Sequence, residues 1–165
     1  MRVPSTLIAT VFISTIIIGT AGLHGPSASG ACLIQTAASA QTEENVDLIL
    51  PALATVESSN NPNAVGDKGK AIGIYQIHWA YWKDATDHDK SIGGSYRDCF
   101  DPVYAERIVR AYLARYAPKG ATLEQLARIH NGGGGILKKQ HSTKEKDKKA
   151  WANTTAYWNK VKKEL

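Results

Sequence analysis

Cysteine is scarce: Cys32 and Cys99 are the only two in 165 residues. At most one disulfide can form, so a small scaffold stapled by several bridges is excluded and the fold must rest on an apolar core. Either Cys32 is removed with the N-terminal segment, leaving Cys99 alone, or it stays and a Cys32–Cys99 bridge can form. No Cys-His pairing is suggested around Cys99, which reads as a small buried thiol rather than a nucleophile. Charge is almost missing from residues 1–40, where Arg2 is the single Lys, Arg, Asp or Glu. Long hydrophobic runs are also missing. Leu7 to Ile18 is apolar apart from Thr10, Ser14 and Thr15, shorter than the roughly 20 residues a membrane span needs. No segment repeats. No glycine loop suits a phosphate, since Gly132 to Gly135 follows a predicted helix instead of opening one.

Arg2, the short apolar run and the small residues after it have the form of an export signal. Ala38-Ser39-Ala40 before Gln41 fits a cleavage site, with cuts after Ala21 or Ala31 as alternatives and an uncleaved anchor as the contrary reading. A lipid-modified Cys32 is disfavoured, because Ser29-Gly30-Ala31 lacks the large apolar residue expected there. Residues 1–40 are therefore expected to be signal and small-residue tether, Ala21 to Thr42 being rich in Ala, Gly, Ser and Thr, and residues 41–165 one domain. That domain has material for a core: the chain is 43% apolar, with four Trp and seven Tyr. A chain of about 120 residues can bury roughly two-thirds of its surface. The formal charge is +5, with 20 basic against 15 acidic side chains. Without Arg2 it is 19 against 15, or +4. A basic excess suits an anionic partner such as bacterial cell wall, a membrane surface or nucleic acid. Lys138 to Lys149 holds six lysines with no interleaved aromatics, so it reads as a solvated basic segment and nucleic acid is not expected.

The pattern from Glu44 onward is mainly helical. Acids from Glu44 to Asp47 suit a helix start, with Pro51 in its first turn or else at a kink. Val46, Leu50, Leu53 and Ala54 repeat at helical spacing, and Glu57 falls on the same stripe before Ser58-Ser59-Asn60-Asn61-Pro62 stops the helix. Asn63 to Lys70 reads as a turn or short hairpin, and Gly73 to Ile77 as a short strand or helix start. Trp79, Tyr81 and Trp82 form an aromatic cluster, and Thr86 to Gly94 a polar loop. Asp87-His88-Asp89 within it reads as solvated rather than as a metal site. Asp101-Pro102 is a strong helix start, with a buried stripe of Ala105, Ile108, Val109, Tyr112 and Tyr116. Thr122 with Gln125 forms a capping box before a stripe of Leu123, Leu126, Ala127 and His130. A last helix carries Trp151, Tyr157, Trp158 and Val161.

Glu57 and Asp67 are the candidates for chemistry. A carboxyl on an apolar stripe is costly to ionise, so its pKa is expected to rise. A protonated Glu near neutral pH is what proton donation to a leaving sugar oxygen requires; the plainer alternative is a helix-end Glu turned to solvent. Asp67, ten positions on in a Gly-flanked turn, can reach back across a cleft as a second carboxylate, or can be ordinary turn chemistry. A pair about 5 Å apart serves retention and one about 6.5–9.5 Å apart inversion.

Several blocks carry a resemblance. Val56-Glu57-Ser58, Asn61-Pro62-Asn63-Ala64-Val65, Gly66-Asp67-Lys68-Gly69 and Gly73-Ile74-Tyr75-Gln76-Ile77 resemble the lysozyme-like superfamily, near lytic transglycosylases and goose-type lysozymes. Tyr81-Trp82-Lys83-Asp84, Tyr96-Arg97-Asp98-Cys99, Val109-Arg110-Ala111-Tyr112-Leu113-Ala114-Arg115-Tyr116, Ala127-Arg128-Ile129-His130-Asn131-Gly132-Gly133 and Tyr157-Trp158-Asn159-Lys160-Val161 are more similar to invertebrate-type (destabilase-like) lysozymes. The blocks stand in family order across residues 45–163. The resemblance implies an α+β, mainly α, lysozyme-like fold with a small irregular or β segment near residues 63–77. It implies Glu57 as catalytic acid, Asp67 as second acid, Tyr75 and Gln76 lining a glycan cleft, and His130 and Asn131 on its far wall. His130 reads as a packed, hydrogen-bonded residue rather than an acid–base group. The implied activity is cleavage of the β-1,4 bond between N-acetylmuramic acid and N-acetylglucosamine in peptidoglycan. Lytic transglycosylase and a catalytically silent glycan-binding module are the alternatives. No cofactor or metal is expected. The partner is peptidoglycan or a related amino-sugar glycan, without stable membrane insertion after signal cleavage. The protein is expected to be a monomer, secreted or in the periplasm or cell envelope. The chain departs from that family in its few cysteines and in Gly132-Gly133-Gly134, where Gly-Gly-Pro is usual and which should make that loop more mobile.

Overall fold

Helix α1 (Ala28–Ser58) crosses the molecule and ends at the candidate acid. The computed structural model describes residues 28–165, with side chains from Ile34 onward. Arg2, Leu7 to Ile18 and the cut after Ala21 lie outside the described residues, as does the side chain of Cys32. No helix among the described residues is long and apolar enough to cross a membrane.

α1 starts far earlier than the expected Glu44–Asp47. Ala, Gln, Leu and Thr over residues 31–42 are tolerant of helix, and alanine is the best former of all. This part of the helix also touches the rest of the domain: Gly120 N–H donates to the carbonyl of Ala38 (2.9 Å) and lies 2.8 Å from Thr42 Oγ1. The cuts expected after Ala31 and Ala40 fall within this helix. Pro51 is consequently interior, and the carbonyl of Asp47 loses its usual helical donor there. Val46, Ile49, Leu50, Leu53 and Ala54 are buried, so the predicted stripe does face the core. The backbone then turns left-handed at Ser59 (φ 54°) and Asn60 (φ 63°), ending the helix where expected.

A three-stranded antiparallel sheet follows: β1 (Val65–Gly66), β2 (Ala71–Ile72) and β3 (Ile77–His78), in that order. Val65 pairs with Ile72, and Ala71 with His78. It occupies the expected small β segment. Gly73 to Gln76 is the turn between β2 and β3, so only the end of that stretch is strand.

α2 (Trp79–His88) carries the aromatic cluster and runs through Thr86 to His88, expected as loop; Asp89 N–H still donates to Ala85 O (2.9 Å). Trp82 packs inward and donates its Nε1–H to Tyr104 Oη (3.0 Å), whereas Trp79 is 57% exposed. α3 (Pro102–Tyr116) starts as expected, Asp101 accepting from Val103 and Tyr104 N–H. α4 (Leu123–Gly132) has its reciprocal Thr122–Gln125 cap. α5 (Glu145–Val161) takes in the second half of the expected basic segment, which is solvated but helical there.

α4 packs on α1 and α5, and α2 on α3. Between them lies one core of Ile49, Leu53, Ile77, Ile108, Leu113, Leu126, Ile129 and their neighbours. Cys99 is a free thiol inside it, and burial pushes its pKa up to about 12. The architecture is the expected α+β, mainly helical one. In the Gly132-Gly133-Gly134 stretch, Gly134 N–H donates to Tyr112 Oη (3.1 Å).

Candidate active site

The end of α1 is sewn to the β2–β3 turn. Ser58 Oγ–H donates to Ile74 O (2.8 Å), and Gly73 N–H donates to Ala64 O (2.9 Å). This places Glu57, the hairpin and the Tyr75–Gln76 turn around one hollow. Its volume is about 290 Å³, and its lining includes all six predicted site residues: Glu57, Asp67, Tyr75, Gln76, His130 and Asn131. His78 and Tyr81 also line it, and neither was singled out for the site from sequence. Gln76 reaches this position with φ 47°, an uncommon backbone state for a non-glycine residue. It is steadied by its own Nε2–H donating to Gly73 O (2.9 Å).

Glu57 is not turned to solvent. Its side chain is 19% exposed, and Tyr157 Oη–H from α5 donates to Oε1 (2.7 Å). His130 Nε2 lies 3.5 Å from the same oxygen. On the other side of the imidazole, Nδ1 lies 3.1 Å from Tyr81 Oη. Burial holds the Tyr81 phenol well above its ordinary pKa, with Tyr112 and Glu57 adding to it. The donor in that contact is set by the imidazole tautomer, and the Nε2 edge of the ring faces Glu57. Tyr81 is itself stacked on Tyr112, centroids 3.6 Å apart. His130 is thus the packed, hydrogen-bonded residue expected.

The expected upward shift of Glu57 is reversed. Burial does raise it and is the largest single influence. The hydrogen bond and charge of His130, the Tyr157 hydroxyl and the charge of His78 together outweigh it, so the carboxyl lies below its ordinary value. Sequence periodicity placed Glu57 on an apolar stripe but gave no view of Tyr157, a hundred positions away and indistinguishable in α5 from any buried aromatic.

Tyr157→Phe checks this balance. It removes a donor to the ionised form, so the Glu57 carboxyl should titrate higher when followed by NMR. A depressed folded-state pKa contributes stability that is complete above the unfolded value and is lost as pH falls through the folded one. The variant should therefore lose less stability on acidification than the wild type. A bond to a charged group is worth about 1.5–3 kcal/mol, which sets the expected loss near neutral pH. An unmoved Glu57 titration would mean that burial, His130 and His78 set it without Tyr157.

Asp67 sits on the hairpin with its side chain 58% exposed and its backbone left-handed (φ 45°). Its Oδ2 lies 3.8 Å from His78 Nε2. A signal for His78 did exist: alternation in β3 turns Ile77 into the core and His78 to the opposite face. Among the described residues no group of three or more His, Cys, Asp or Glu is arranged to hold a metal ion. Asp87 instead pairs with Lys83, and Asp89 accepts from Ser91 N–H.

A cleft with one sheltered carboxyl at a helix end, a second acid on a facing hairpin and a histidine–tyrosine wall can transfer a proton and stabilise a cation. No curated protein matches the chain. Residues 47–163 match the family model described as Destabilase. That span contains the whole cleft lining and the Tyr157 behind it, and the chain belongs to the destabilase family, the invertebrate-type lysozymes.

Proposed function

We propose that the chain is an exported glycosidase that cleaves the β-1,4 bond between N-acetylmuramic acid and N-acetylglucosamine in peptidoglycan. Its family is one of lysozyme-type hydrolases, and members are typically secreted. The observation that carries the finer reading is the asymmetry of Glu57. Tyr157 and His130 both engage Oε1, which leaves Oε2 to carry a proton to the leaving oxygen. In the free protein the carboxyl is held low. A glycan filling the hollow excludes water and strengthens the desolvation that already raises it, so substrate binding itself favours the acid form. Asp67, on the facing hairpin, supports the positive charge that grows on the sugar ring or activates the attacking water. Tyr75, Gln76, His130 and Asn131 line the path of the glycan.

Product analysis by mass spectrometry on purified peptidoglycan, with wild type beside Glu57→Gln, tests this. Hydrolysis gives reducing muramic acid ends. Ends lighter by one water would mean that the muramic hydroxyl closes an anhydro ring, making the chain a lytic transglycosylase. Glycan binding without any cleavage would make it a binding module.

The lysines from Lys138 to Lys149 are exposed for the most part. Their attraction for anionic wall is long-range and falls off over a screening length of about 10 Å at 0.1 M salt and about 3 Å at 1 M. Clearing of whole walls should therefore slow as salt is added, while cleavage of short soluble oligosaccharides changes little. Wall clearing that ignores salt would reject this role.

A further inference from the structure

We propose that His78 is a positioning residue for the reaction, holding the Asp67 carboxylate over the cleft through a charge pair made while the imidazole is protonated. The inference rests on the glycosidase reading above. Its starting point is the contact between the two side chains across the cleft mouth, at 3.8 Å. Among the described residues no donor is hydrogen-bonded to the Asp67 carboxylate, and His78 is its one ion-pair neighbour, at 3.8 Å. Asp67 rides on a left-handed turn and is more than half exposed, so its rotamer is open. His78 is fixed in backbone: it pairs with Ala71 across the sheet and stands at the N-cap of α2. The Tyr96 hydroxyl, between the carbonyls of Lys70 (2.8 Å) and Ile77 (2.7 Å), ties the hairpin to β3. The sheet thus sets where the His78 backbone stands, and its half-exposed imidazole faces the half-exposed Asp67 carboxylate.

The other titratable groups that line the hollow with His78 are Glu57 from α1, Tyr75 from the β2–β3 turn, Tyr81 from α2 and His130 from α4, and the Tyr96 hydroxyl binds the neighbouring Ile77 carbonyl. Glu57 feels the charge of His78, though less than that of His130. Asp67 and His78 are both about half exposed, so in the open cleft their attraction is screened and adds little to stability. A bound glycan displaces that water, and the same pair strengthens as the local dielectric falls. Its effect therefore belongs to the reacting complex, where orientation decides the rate.

Histidine changes charge between about pH 5 and 8, which supplies the test. Steady-state cleavage of a soluble peptidoglycan oligosaccharide is measured across that range for wild type, His78→Gln, His78→Arg and Glu57→Gln, with melting curves for each. At about pH 5, His78→Gln should lose about tenfold in kcat with little change in KM. His78→Arg should recover most of that rate and keep it to higher pH than the wild type does. A Gln variant as fast as wild type, or faster because the cation opposes the charge on the sugar, overturns the proposal. So does an Arg variant no better than Gln. If wild type is no faster than Glu57→Gln, the glycosidase reading is what has failed. A substrate-free readout separates the two: the Asp67 carboxyl NMR signal should show a second step in the histidine range that His78→Gln abolishes. Absence of that step in the wild type overturns the pairing whether or not the chain cleaves glycan.

Discussion

Glu57→Gln should cleave glycan about a hundredfold to ten-thousandfold more slowly than wild type while still folding and binding. General-acid catalysis contributes about 10²–10⁴ in rate, and the substitution removes the transferable proton without removing the side chain. The Gln carbonyl can still accept from Tyr157, which donates to Oε1 at 2.7 Å, and it fills nearly the same volume. What it loses in stability is the attraction between the carboxylate and His130; what it gains is relief from burying a charge. The loss outweighs the gain, since the carboxyl is held below its ordinary value, so the melting temperature should fall by a few degrees near neutral pH. The check is kcat on peptidoglycan together with a melting curve. A variant that keeps a tenth of wild-type activity would show that the proton comes from elsewhere, with His130 the nearest other source.

The pH dependence follows from the same contacts. In the open cleft the carboxyl is held below its ordinary value, so little free enzyme carries the acid proton at neutral pH. The rate should fall as pH rises through the value that Glu57 adopts in the glycan complex. That value is higher than in the free protein by whatever desolvation the sugar adds.

Local chemistry was legible in the sequence wherever one or two turns of chain decide it. Asp101-Pro102 and Thr122–Gln125 cap their helices as read, and the α1 stripe faces inward with Glu57 at its end. Glu57 and Asp67 came from the apolar stripe and the Gly-flanked turn, Tyr75, Gln76, His130 and Asn131 from motif likeness, and one hollow gathers all six. What escaped depends on elements distant in the chain. The early start of α1 reflects docking of Ala38 and Thr42 against Gly120. The direction of the Glu57 shift depends on Tyr157, His130 and His78, contributed by three other elements. Apolar periodicity reports the desolvation that raises a carboxyl; it is silent about donors that arrive from elsewhere and lower it.

Gly73→Ala should lower stability by about 3 kcal/mol or more and disable the cleft as well. Gly73 has φ +76°, and a Cβ there would lie 2.0 Å from the backbone oxygen of Cys99 and 3.0 Å from its carbonyl carbon. Backbone cannot swing aside as a side-chain end can, and Cys99 is fully buried. The β2–β3 turn would have to lift away from it. That movement strains the bonds Gly73 makes to Ala64 and Gln76 and carries Tyr75 and Gln76 out of the lining. Gly69→Ala is the matched control: its φ is +89°, but a Cβ there meets nothing within 4 Å. It pays only the left-handed penalty of about 1–2 kcal/mol. Thermal unfolding by circular dichroism should place Gly73→Ala roughly 10 °C below wild type, with Gly69→Ala between them and still active. If the two variants melt together, close packing against Cys99 is not what demands glycine at position 73, and the turn is free to move without taking the cleft with it.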